Sequence, residues 1–140
     1  MEKSFIKSRI KEKIKEIEEY LQELSEIRPS NFEEYEKNFE KRATCERYAE
    51  KIPEALVDLA VLTIKYKNLP YPQDDKNAFE ILAKNNIISE KLSERLQDAK
   101  GMRNIIAHEY GKINNEIVFE SITSELEEDA KEFINKIVGV

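Results

Sequence analysis

Apolar residues recur every three or four positions along nearly the whole chain, and that period restricts it to helices. Between Ser4 and Ile27 they fall at Ile6, Ile10, Ile14, Ile17, Leu21, Leu24 and Ile27, the stripe of a helix with one face turned to a core. The strict alternation that a half-buried strand needs does not persist beyond a few residues. With only three glycines, 40% hydrophobic and 37% charged residues, the composition is that of a helical protein with a heavily charged surface. The expected fold is all-α, an up-and-down bundle of about five helices forming one domain over residues 1–140.

Proline and capping signals divide the chain. Pro29 ends the first helix, and Ser30-Asn31-Phe32-Glu33 reads as a capping box for a second. That helix is expected to run through Tyr35, Phe39, Arg42, Tyr48 and Ala49, with a kink at Pro53, since Ile52, Leu56, Leu59 and Ile64 continue the stripe beyond it. Asn68-Leu69-Pro70-Tyr71-Pro72 is a loop, and Asp74 or Asp75 caps a short helix over Phe79, Ile81 and Leu82. Asn85-Asn86 breaks it. Ser89 then caps a helix that turns Leu92, Leu96, Ala99, Met102 and Ile106 inward and stops at Gly111. A last helix starts at Asn114 or Asn115, with Ile117, Ile122, Leu126, Phe133, Ile134 and Ile137 as its apolar positions.

Several function classes drop out. The single Cys45 cannot form an internal disulfide, and no run of about 18 apolar residues or signal-like segment occurs, so a cytoplasmic protein without membrane association is expected. His108 and Cys45 lie too far apart to show zinc-ligand spacing, and no glycine-rich phosphate loop is present, so neither metal nor cofactor is expected. A net charge of −6 opposes general nucleic-acid coating. Residues 84–112, however, carry six basic and four acidic side chains, whereas the remainder carries 17 and 25.

That least acidic segment contains Arg103-Asn104-Ile105-Ile106-Ala107-His108-Glu109-Tyr110, with the only histidine of the chain. Any acid or base work near neutral pH falls to this imidazole, whose ordinary pKa lies there. On a helix, Asn104 and His108 are neighbours at i and i+4, and Arg103 and Tyr110 share a face roughly two turns apart. Arg103 and His108 diverge by about 140°. They converge through the length of arginine, through fraying before Gly111, or through a second molecule. On the residues alone two readings stay open. One is a phosphate-gripping arginine with a proton-donating histidine, and the other is an ordinary salt-bridge partner with a helix-capping histidine.

The R-x4-H-x-Y pattern resembles the signature of HEPN-domain proteins, and specifically of the HepT-like (DUF86) toxins. Residues 41–60 resemble the family's second helix, with Arg42, Glu46-Arg47, Glu54-Ala55 and Asp58 in the expected kinds of position, although Pro53 departs from the pattern. Ile87-Ile88-Ser89 through Gly101-Met102-Arg103-Asn104, and Asn115-Glu116-Ile117-Val118, are similar as well.

The resemblance implies a metal-independent endoribonuclease whose Arg103 and His108 act on the RNA backbone. It also implies a toxin paired with a minimal nucleotidyltransferase antitoxin that adenylylates Tyr110. Asn104 and Asp58 are expected in supporting roles, Asp58 either holding helices in register or orienting Arg103 across the bundle. Cleavage by the ribose 2′-hydroxyl, leaving 2′,3′-cyclic phosphate ends, needs a base, an acid and positive charge. One chain offers one histidine, so a homodimer with a composite cleft is expected. The alternative is a non-catalytic helical module that binds a nucleotidyltransferase or a nucleotide.

Overall fold

A computed structural model describes the backbone of residues 2–108 and 114–140, and the side chains of 2–99 and 114–140. Every regular element among the described residues is helical: α1 (Glu2–Ile27), α2 (Phe32–Lys37), α3 (Phe39–Tyr66), α4 (Asp75–Lys84), α5 (Glu90–His108), α6 (Asn115–Glu120) and α7 (Leu126–Val138). A π-helical turn, Ser121–Glu125, joins α6 to α7.

Helix α3 is the hub. It packs along α1 on one side and α5 on another, and also touches α2, α4 and α7. Its core residues include Ile52, Leu56, Leu59 and Ile64, each 1% exposed or less. Burial of each such side chain is worth about 1.5–3 kcal/mol. Pro53 sits inside α3 and is buried, so the helix is not divided there. The packing on either side offsets the one backbone bond that proline cannot make.

Most breaks fall where local chemistry demands. Ser89 Oγ accepts from the Leu92 amide at 3.0 Å, Asp74 Oδ1 from Asn77 at 2.7 Å, and Asn114 Oδ1 from Glu116 and Ile117 at 3.1 and 3.2 Å. Asn68 and Asn86 adopt φ of 56° and 60°, the left-handed turn that ends α3 and α4. In both, the following amide reaches back to the helix, Leu69 to Ile64 O at 3.0 Å and Ile87 to Leu82 O at 2.9 Å. This closes a Schellman motif with asparagine in place of glycine.

Three expectations need correction. The cap of α2 is Asn31, whose Oδ1 accepts from Glu34 at 2.9 Å, and not the Ser30 capping box. The expected second helix is broken by extended Asn38, whose amide closes α2 on Glu34 O at 3.1 Å while its side chain caps α3 through Lys41 at 3.1 Å. Ile117 is 51% exposed, and Val118 takes the core position instead. The π turn explains this shift. Val118, Ile122, Leu126 and Ala130 are all buried at steps of four, a spacing that drifts off one face of an α-helix and that a wider turn brings back into line. The expected stop at Gly111 lies outside the described residues.

Candidate functional site

Helix α5 carries the motif. Its first half is anchored by the Ser89 cap and by Leu92 and Leu96, 0% and 1% exposed, against α3, α4 and α7. Ala99 packs partly buried behind them. Arg103 and Asn104 follow in the same helix, and His108 is its last described residue. The helical register keeps Asn104 and His108 at i and i+4, and Arg103 and His108 about 140° apart. The inward side chains expected at Met102 and Ile106, and the position of Tyr110, lie outside the described residues.

Asp58 lies on the exposed side of α3. Its carboxylate accepts from Lys13 Nζ of α1 at 3.4 Å, and Lys13 also bonds Glu16 at 2.7 Å. Asp58 therefore takes part in the α1–α3 contact. The other residues that carried the resemblance on α3 are held locally. Arg42 donates to the Glu36 carbonyl at the end of α2, and Arg47 pairs with Glu50 at 3.4 Å. Burial raises the Glu46 carboxyl against the pull of Arg42, and it pushes the Cys45 thiol up to about 11, which leaves that thiol inert.

Missed in the sequence is the clamp that ties α5 to α7. Arg95 Nε donates to Asp129 Oδ1 at 2.8 Å and Nη2 to Glu132 Oε1 at 2.7 Å. Burial raises the Asp129 carboxyl above its ordinary value, and the Arg95 bond opposes that shift. The only signal was an acidic pair at i and i+3 beside the apolar stripe of α7. Nearby, Arg28 at the end of α1 donates to the Ile122 carbonyl of the π turn at 2.9 Å and lies 3.5 Å from Glu127. The helix bearing the motif is thus braced from two sides, by α3 packing and by the Arg95 fork.

No helix among the described residues is long and apolar enough to cross a membrane. Residues 10–137 match the family model described as "Ribonuclease HepT-like". An mRNA nuclease HepT of Shewanella oneidensis is 37% identical over 84 residues, which are 60% of this chain and 62% of that relative, so the match spans less than two thirds of it. A tRNA nuclease HepT of Aphanizomenon flos-aquae is 25% identical over 119 residues, 85% of this chain and 81% of the relative. Among solved structures, the tri-AMPylated Shewanella oneidensis HEPN toxin in complex with an MNT antitoxin superposes with a TM-score of 0.86. It is 27% identical, with 94% of this chain and 97% of that chain covered.

Proposed function

Because the chain belongs to the ribonuclease HepT-like family, we propose that it is an endoribonuclease toxin silenced by a minimal nucleotidyltransferase antitoxin that adenylylates Tyr110. The observation that carries this reading is the presence of Arg103 and His108 at motif spacing in the last turns of α5. The names of the relatives support it: two are HepT nucleases of mRNA and tRNA, and one solved toxin is AMPylated beside its antitoxin.

In this reading His108 moves the proton and Arg103 grips the phosphate. The 2′-hydroxyl gives up its proton and its oxygen bonds to phosphorus. The bond to the 5′-oxygen breaks, that oxygen is protonated, and a 2′,3′-cyclic phosphate remains. A two-fold dimer supplies two copies of His108, one as base and one as acid, with both Arg103 side chains on the phosphorane charge. Unpaired carbonyls at a helix C-terminus favour the imidazolium needed for the acid. Asn104, one turn before His108, holds the imidazole orientation, and Asp58 stiffens the α1–α3 contact. AMP on Tyr110 adds an anion that competes with RNA for Arg103.

Expression of the chain alone in bacterial cells tests this. Growth arrest is expected, lost on Arg103→Ala or His108→Ala and relieved by the co-expressed nucleotidyltransferase, with Tyr110→Phe escaping that relief. The net charge of −6 favours a second reading, a non-catalytic module that binds a nucleotidyltransferase or a nucleotide. Normal growth with unmodified Tyr110 would select it.

A further inference from the structure

Helix α3 carries a carboxylate whose charge its neighbours do not settle. Glu46 is half-buried, and among the described residues it makes no hydrogen bond and no ion pair. It stands beside the buried Tyr35 and Cys45. Burial raises its carboxyl above the ordinary value, Arg42 opposes that shift, and Glu50 adds to it. Arg42 donates to the Glu36 carbonyl, and Glu50 pairs with Arg47 at 3.4 Å. A carboxylate drawn out of water is costly without a cation of its own.

The packing of the bundle brings Glu46 to the motif helix. Cys45 lies within electrostatic reach of Arg28 at the end of α1. Arg28 donates to the Ile122 carbonyl at 2.9 Å, and Ser121 and Leu126 line one groove with Ala99 of α5. The Cys45–Glu46 turn and Ala99 therefore stand at one level. Helices α3 and α5 pack together and run in opposite directions. Tyr48 meets Glu23 and Asp58 meets Lys13, so α3 descends along α1. Arg95 meets Asp129 and Glu132 while Ala99 lies beside the start of α7, so α5 rises. On α3, Glu46 is turned about 160° from Tyr48 and about 120° from Asp58, away from α1. On α5, position 103 continues, four residues on, the inward stripe of Leu92, Leu96 and Ala99. Helical side chains lean toward the N-terminus of their own helix, so across this antiparallel pair positions 46 and 103 lean toward one another.

We propose, on the reading of Arg103 as the phosphate grip, that Glu46 holds its guanidinium and is a positioning residue for cleavage. One edge of the planar fork meets the carboxylate, and the other stays free for phosphate oxygens. The pairing fixes a long side chain that would otherwise sample many rotamers. Asp58, bound to Lys13 on the α1 side, takes no part in it.

The Nε–Hε resonance of Arg103 in the full chain, identified by its loss in Arg103→Lys, tests the pairing without RNA. A clear shift is expected in Glu46→Gln and none in Asp58→Asn, with unchanged amide dispersion verifying both folds. Cleavage of single-stranded RNA by protein with unmodified Tyr110 supplies a second arm. Glu46→Gln should lower kcat about 10- to 100-fold with KM changed less, and Glu46→Asp should recover part of the loss. An Arg103 resonance unmoved by Glu46→Gln, or full cleavage by that variant, overturns the proposal. Failure of the parent protein to cleave RNA strikes the ribonuclease reading instead, and the resonance alone then decides the pairing.

Discussion

Arg95 holds Asp129 at 2.8 Å from Nε while its other arm holds Glu132 at 2.7 Å, so one guanidinium bridges two acids about one turn apart on α7 and fixes that helix against α5. The Asp129 side chain is only 14% exposed, and removing Arg95 leaves its charge without the cation that offsets burial. Arg95→Ala should therefore cost about 1–2 kcal/mol, more than an open surface pair and less than a fully buried one. Arg95→Lys should recover only part, since a point charge cannot bond both acids in the same geometry. Urea denaturation measures both. A loss below about 0.3 kcal/mol in Arg95→Ala would show the clamp to be ornamental.

Tyr35 is 0% exposed, with its ring 5.3 Å from that of Phe119, and its hydroxyl makes no hydrogen bond to a described protein atom. Tyr35→Phe keeps the ring and removes the orphaned hydroxyl, so stability should rise by about 1 kcal/mol. A fall in melting temperature would reveal a partner for that oxygen.

The Tyr20 hydroxyl donates to Glu16 at 2.7 Å, and this bond, with burial, pushes its pKa up to about 12 from 10.0. The folded value lies above the unfolded one, so the contribution is complete below about pH 10 and is lost as pH rises toward 12. Tyr20→Phe should flatten that part of the stability curve, as followed by thermal melts across the alkaline range. An unchanged slope would sink the assignment.

Much of this architecture was legible because helices announce their ends locally. Ser89, Asp74 and Asn114 cap as their sequence positions suggest, and Asn86 supplies the expected break. What escaped depends on distant partners or on small choices. Asn31 won over Ser30, and one extended residue, Asn38, split a helix that the apolar stripe alone would have continued. The π turn at Ser121–Glu125 adds a residue that the α period does not count, so the period points Ile117 inward although Val118 is the buried residue. In the candidate site, the spacing of Arg103, Asn104 and His108 on α5 followed from sequence. The Arg95 fork did not, because it joins residues 34 and 37 positions apart.

Digestion of single-stranded RNA in EDTA by protein with unmodified Tyr110 tests the proposed role of His108 in metal-independent RNA cleavage. Products with 2′,3′-cyclic phosphate ends are expected, with a loss of about 10²–10⁴-fold in His108→Ala at unchanged melting temperature. Equal cleavage by the variant, or none by either protein, would contradict it.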